Sequence, residues 1–251
     1  MKKAIAIFSI LFISFAAFAQ ISEKENQALL DLYNATNGDS WSQSWDIAQP
    51  ATTWKGVTIL NNKVIALSLS NNNLDGYLPQ SIGDLVNLKV INLSKNSLEG
   101  HIPSEIGNIK GIKAINFAFN ELSGSLPRSI GNLVKLQNLD LYFNRLEGAL
   151  PSEVGQLTSL RRINLNNNFL QGTLPESLVT LTNLIDIQLS SNQFDGDLPL
   201  GFDRMASLKT LNLFDNNFTG DTTQLSQIEE LAIDNNNFND TNSAIASSGG
   251  K

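Results

Sequence analysis

Residues Leu88–Gly111 read LKVINLSKNSLEGHIPSEIGNIKG, and the chain rewrites this stretch about every 24 residues. Copies begin at Val64, Leu88, Ile112, Leu136, Leu160, Leu184 and Leu208, and a clipped eighth begins at Ile228. Apolar residues fall at positions 1, 4, 6 and 11 of each copy. Position 9 is Asn every time: Asn72, Asn96, Asn120, Asn144, Asn168, Asn192, Asn216 and Asn236. Gly follows at position 13 in seven copies, from Gly76 to Gly220, and Pro at position 16 in six, from Pro79 to Pro199. Apolar positions 4 and 6 alternate with polar 5 and 7, the pattern of a short strand with one buried face. By this reading Leu93 points inward, and Asn92 and Ser94 point outward. Position 9 then sets a polar amide, two donors and one acceptor oxygen, on the buried side. The Gly permits a turn that a Cβ would obstruct, and the Pro fixes φ where no ladder donor is needed.

Written as LxxLxLxxNxLxGxIPxxIGxL, the unit resembles the leucine-rich repeat in its plant-type variant, over about three quarters of the chain. The resemblance implies an α/β solenoid, a right-handed horseshoe with a parallel concave β-sheet. Short flank strands are implied at the Gly-x-Ile-Pro segment, and short or 3-10 helices on the convex side. It also implies that the eight Asn residues form a ladder tying successive coils together.

The chain divides into a leader at residues 1–19, an N-terminal cap at 20–63, a solenoid of eight repeats at 64–238 with the last two shortened, and a polar tail at 239–251. Met1–Ala19, MKKAIAIFSILFISFAAFA, has two lysines, an apolar run and an Ala17-Phe18-Ala19 cleavage pattern, which reads as a secretory signal peptide. Its apolar run is shorter than the roughly 20 residues of a spanning helix. The chain is therefore expected to be exported, to the periplasm, cell surface or exterior, without membrane insertion. In the cap, Ser22 and Glu25 form a capping box for a helix through about Tyr33, with Ala28, Leu29, Leu32 and Tyr33 on its apolar face. Trp54-Lys55-Gly56-Val57 is similar to the ending C-x-W-x-G-V-x-C of plant-type caps, but Thr52 and Ile59 replace the two cysteines. Together with the MKK leader, this disulfide-free cap points to an exported bacterial protein. Trp41, Trp45 and Trp54 are expected to cover the open end of the first repeat, the alternative being a sugar-stacking platform. Repeat seven loses its Ile-Pro segment at Asp221-Thr222-Thr223, and no proper C-terminal cap follows.

A net charge of −7, or −9 once Lys2 and Lys3 leave with the leader, argues against nucleic acid and anionic membrane surfaces. The chain has no Cys, and its single histidine, His101, lies on a flank turn with no nucleophile dictated nearby. No catalytic triad, phosphate loop or calcium motif is present, so no catalytic residue, cofactor or metal is expected, and the chain reads as a non-enzyme.

Function is thus expected on the concave face, where positions 3, 5, 7 and 8 meet solvent. Position 5 is a nearly unbroken polar column, from Ser68 and Asn92 to Asn212. Position 8 carries Phe119 and Phe143, and position 7 carries Tyr142 and Phe214. Phe119, Tyr142 and Phe143 should meet on neighbouring coils, with Asp140, Arg145 and Arg162 around them. Exposed aromatics beside Arg have the composition of an interface hot spot. The candidate partner-binding set is Phe119, Asp140, Tyr142, Phe143, Arg145, Arg162 and Phe214, on a monomer that takes a protein or peptide. An inhibitor of an extracellular glycan-cleaving enzyme and a glycan-binding adhesin are the alternatives on the same surface. Ice binding would need a flat Thr-rich column, and no column has one.

Overall fold

The structure is a computed structural model that describes residues 21–239. The leader reading and the tail from residue 240 onward lie outside the described residues. The described residues open with an α-helix, Glu23–Ala35, two residues longer at its end than the sequence suggests. The Ser22 hydroxyl accepts from the Glu25 N–H at 3.2 Å, and the Glu25 carboxylate accepts from the Ser22 N–H at 3.4 Å. Glu25 also acts at longer range. Its other oxygen accepts from the Val64 N–H and the Asn87 amide, so the buried carboxylate pins the cap helix to the first coils.

The three tryptophans are buried. Trp45 stacks on Trp54 with centroids 4.7 Å apart, and Trp41 meets Trp45 edge-on. Each indole N–H reaches a backbone carbonyl, that of Thr36 for Trp41 and of Lys55 for Trp45, while Trp54 is shared between Asp46 and Gln49. This packing excludes their use as an open sugar platform. A hairpin that periodicity does not reveal follows: Val57–Leu60 pairs antiparallel with Lys63–Ser68 through Asn61 and Asn62. Both turn residues have positive φ, 50° and 60°, which Asn tolerates better than most residues.

From there the inner sheet adds one three-residue strand per coil. Val90–Asn92, Ala114–Asn116, Asn138–Asp140, Arg162–Asn164, Asp186–Gln188, Thr210–Asn212 and Glu230–Ala232 extend it to nine strands. All pairs after the hairpin are parallel, in steps of 24 residues from Ala66↔Val90 to Asp186↔Thr210, and of 20 at Thr210↔Glu230. A second parallel sheet of seven short strands, from Asp75–Tyr77 to Asn217–Thr219, runs along the flank. At Gly76, the first of its glycines, a Cβ would collide with the Ala35 carbonyl at the end of the cap helix. Single 3-10 turns return the chain, five of them capped by the repeat proline, as at Pro127 before Arg128–Asn132. Leu139, Leu141, Leu146, Val154 and Leu157 of one coil are all buried in a core continuous along the solenoid. Ser94 departs from the alternation. It is buried, and its hydroxyl donates to the Asn92 side chain at 2.8 Å.

The position 9 asparagines form the expected ladder. Asn144 donates to the carbonyls of Phe117 in the preceding coil and Leu141 in its own, both at 3.0 Å, and accepts from the Leu122 N–H at 3.1 Å. Asn96, Asn120, Asn168, Asn192 and Asn216 repeat the arrangement. Asn236 closes it, accepting from the Phe218 N–H. Asn72, the first rung, differs: it accepts from the Gln43 N–H, but its amide nitrogen has no partner.

These contacts predict unequal costs along the ladder. Asn144→Ala strands the buried Leu122 N–H and leaves the Phe117 and Leu141 carbonyls only their bonds from the neighbouring rungs, Asn120 and Asn168, so it should cost about 2 kcal/mol. That corresponds to a fall in Tm of roughly 4–8 °C in a domain of this size. Asn72→Ala removes fewer bonds and should cost clearly less. Thermal melts of the two variants check the order.

Candidate functional site

Immediately before each ladder Asn, the backbone takes a left-handed residue. Position 8 has φ between 52° and 59° in all eight repeats: Asn71, Lys95, Phe119, Phe143, Asn167, Ser191, Asp215 and Asn235. The turn is fixed by main-chain pairing to the next coil. For example, the Phe119 N–H donates to the Tyr142 carbonyl at 2.8 Å, and the Phe119 carbonyl accepts from the Asn96 N–H at 3.2 Å. Asn, Asp and Ser are ordinary occupants of such a turn, whereas a bulky ring there is an outlier. The left-handed conformation costs roughly 1–2 kcal/mol for a residue with a Cβ. Two adjacent coils nevertheless carry Phe at this point. Both rings stay substantially in solvent, Phe119 at 41% and Phe143 at 54% exposure. Backbone strain combined with exposed apolar surface marks this as the candidate site.

The rings meet. Phe119 packs edge-on against Tyr142 with centroids 4.8 Å apart and lies 5.7 Å from Phe143, and Tyr142 is 5.9 Å from Phe143. The Lys95 ammonium sits 5.9 Å from the Phe119 centroid, within cation–π range. Beside the rings runs an open groove of about 570 Å³ between position 8 and the start of the flank strands. Phe119, Phe143 and Phe169 supply its apolar surface, and Asn120, Asn144 and Asn168 back it. Arg145 and Glu121 face each other across neighbouring flank strands in a 2.8 Å ion pair, also lining the groove.

The sequence-selected residues therefore separate. Phe119, Tyr142 and Phe143 form one cluster, and Arg145 shares the groove with the two Phe rings. Arg162 is exposed on its inner strand opposite Asn138 and Asp186, but it does not line the groove. Phe214 lies three coils from Tyr142, about 14 Å at the usual strand spacing. Asp140 is half-buried and turned to its own backbone, accepting from the Tyr142 N–H at 3.2 Å. Asn116, Asn164 and Asn212 do the same for the residue two places on, so part of the polar position 5 column supports turns. Burial pushes the Asp140 carboxyl above its usual range, against the lowering effect of that hydrogen bond. Phe169, Glu121 and Lys95 are not in the candidate set, although Lys95 shares the position 8 column with Phe119 and Phe143. Phe169 and Glu121 stand at position 10, a column that alternation assigns to the flank. His101 is an exposed flank residue whose Nδ1 lies 3.2 Å from the Ser123 carbonyl.

Parallel inner and flank sheets, 3-10 returns and an Asn ladder define a solenoid repeat protein whose candidate site is an exposed aromatic groove. A leucine rich repeat profile matches residues 158–218, and a second matches 63–85, 87–109 and 135–157. The leucine-rich repeat protein FLOR 1 of Arabidopsis thaliana is 33% identical over 86 residues, 34% of this chain and 26% of FLOR 1. The crystal structure of a plant ice-binding protein superposes with a TM-score of 0.77 and 30% identity, over 87% of this chain and 73% of that one. The Arabidopsis receptor kinase HAESA ectodomain, in complex with an N-terminally extended IDA peptide hormone ligand, gives a TM-score of 0.69 at 27% identity, over 86% of this chain and 42% of that one. The chain belongs to the leucine-rich repeat proteins. It spans about a quarter of FLOR 1. Among the described residues, no helix is long and apolar enough to cross a membrane, and no three His, Asp or Glu side chains are grouped to hold a metal.

Two outcomes follow for the site. Replacing Phe119 and Phe143 with Asn, the residue of three other repeats at this turn, relieves left-handed strain of roughly 1 kcal/mol each and loses only surface ring contacts. The double variant should melt at or above the parent temperature; a clear loss of Tm would assign the rings to stability. For Asp140, the raised folded pKa means that the ionised form subtracts stability at neutral pH. The penalty disappears as pH falls through the folded value into the ordinary carboxylate range. Asp140→Asn should therefore raise Tm at neutral pH and give no gain in acid, as paired melts at the two pH values will show.

Proposed function

We propose that this chain is a recognition scaffold that binds a protein or peptide partner at the Phe119–Tyr142–Phe143 cluster and the groove beside it. The observation that carries the reading is the pair of exposed rings held on left-handed backbone, where sister repeats use Asn, Asp, Ser or Lys. Neither burial nor turn chemistry calls for Phe at those points, so contact with something outside the chain is the remaining physical reason for them. Aromatic anchors beside an Arg are the usual energetic centre of a protein interface. The likeness to the peptide-bound HAESA ectodomain supports the same class of partner. Arg145 and Glu121 form the polar rim, and Arg162 and Phe214 serve as outlying contacts of a partner that covers more than the cluster. The scaffold acts by binding rather than by catalysis, as an exported monomer. Export and a bacterial source rest on the MKK leader and on Thr52 and Ile59 standing in place of cap cysteines.

The likeness to a plant ice-binding protein supports a second reading, ice binding. Against it, the inner columns are not Thr-rich, and Phe119, Tyr142 and Phe143 break the regular polar surface such a lattice requires. A thermal hysteresis measurement decides between them.

Affinity capture from the native exterior tests the main reading. Replacement of Phe119, Tyr142 and Phe143 by Ala should leave the fold intact and weaken capture by at least about a hundredfold, the loss expected when hot-spot anchors worth roughly 2 kcal/mol or more are removed. Undiminished capture by the folded triple variant would remove the cluster from the binding surface.

A further inference from the structure

The opposite border of the inner sheet has a different character. Position 2, which leads into each inner strand, is Lys89, Lys113, Gln137 and Arg161 on consecutive coils. Their backbones form a ladder: the Lys113 N–H donates to the Lys89 carbonyl, Gln137 to Lys113 and Arg161 to Gln137, at 2.8–2.9 Å. The position 2 backbones therefore stand in file at the strand spacing of about 4.8 Å per coil, with cations on three of the four coils. Where position 2 is neutral, Lys135, two residues before Gln137, supplies the charge. All four cations are exposed. Ion pairs among the described residues join Lys24 to Asp84, Arg128 to Glu153, Arg145 to Glu121 and Lys209 to Glu229, and none involves these four. The file has direction too. A Cβ on Gly111 would lie 2.5 Å from the Lys89 ammonium, so that side chain reaches along the solenoid towards the coil of Lys113. At its far end lies a polar pocket of about 370 Å³, lined by Ser159, Arg161, Asn183, Ile185 and Ser207.

A chain with net charge −7 has acids to spare for pairing, yet this row is left without them. We propose that this edge binds a linear acidic polysaccharide, one sugar acid group on Arg161 in the pocket and the following ones on Lys135, Lys113 and Lys89. The pocket favours a sugar over an acidic peptide, because hydroxyl and amide groups of Ser159, Ser207 and Asn183 surround a single Ile185. An extended peptide also repeats its same-face side chains at about 6.6 Å, out of step with coils about 4.8 Å apart. Nucleic acid fits less well, since none of these lining residues offers an aromatic platform for bases. The inference is independent of the aromatic groove.

Calorimetric titration of the folded chain tests it, with polygalacturonate and dextran sulfate as carboxylate and sulfate probes and with neutral dextran and polyglutamate as comparators. At about 0.1 M salt, where charges are felt over about 10 Å, at least one acidic polysaccharide should bind, and binding should vanish near about 1 M. The stronger of the two identifies the acid group. The double variant K113E/R161E, with an unchanged thermal melt, should lose at least about tenfold in affinity, or about 1.4 kcal/mol. The milder K113Q/R161Q serves if the first does not fold. The aromatic triple-Ala variant should bind as the parent does. The proposal is overturned if no acidic polysaccharide binds, if polyglutamate or neutral dextran binds as tightly, if the folded charge variants bind unchanged, or if the aromatic variant loses the interaction.

Discussion

A side-chain amide at one point in every coil holds this solenoid in register. Three-residue strands are too short to fix their own pairing, and the turn that follows them leaves main-chain groups pointing into an apolar interior. A buried N–H or C=O without a partner costs on the order of a hydrogen bond, so an unsatisfied coil would not stack. Asn is suited because one planar group both donates and accepts. From Asn96 onward each ladder residue ties carbonyls of its own coil and the preceding one, and receives an N–H at the start of the flank strand, as Asn144 does for Leu122. Inner sheet, left-handed turn and flank sheet are thereby locked together at one residue. The capped end substitutes a different device, the buried carboxylate of Glu25, which serves the Val64 N–H and the Asn87 amide.

That lock also explains why the candidate site lies where it does. The residue before each ladder Asn must adopt positive φ for the amide to reach its partners, and its side chain is thrown outward by the same geometry. Most repeats fill the position with residues that tolerate the conformation. Phe119 and Phe143 do not, and their rings join Tyr142 in a cluster that adds little to the core beneath it. The local preference and the observed residue conflict on two neighbouring coils, and such conflicts concentrate where a surface is used.

Much of this is legible in the sequence, for physical reasons. A strict spacing of Leu, Asn, Gly and Pro leaves one way to stack short strands, so ladder, flank strands and the Ser22–Glu25 helix cap can be read directly. Adjacency of Phe119, Tyr142 and Phe143 follows from the same spacing, since equivalent positions become neighbours. The left-handed turn is hidden, because Lys95, Phe119 and Phe143 do not advertise positive φ. Asp140 reads as a free surface acid, yet it is engaged with the Tyr142 N–H. Phe169 is missed because the groove crosses from inner face to flank, while alternation describes each strand by itself. The Val57–Leu60 hairpin is equally obscure, with only Asn61-Asn62 as its signal.

The antiparallel hairpin has a consequence for how such a molecule can change length. It closes one border of the inner sheet with a strand of opposite direction, so further parallel strands have a place only downstream of it. Between that closed border and the last strand, duplication or deletion of one whole unit would recreate every joint it interrupts. An event upstream of Phe119 would slide the aromatic pair along the axis by one step, about 4.8 Å, while leaving its internal geometry alone. Distance between cap and site is thus a quantity that heredity can adjust in whole steps, separately from the identity of the residues that make contact.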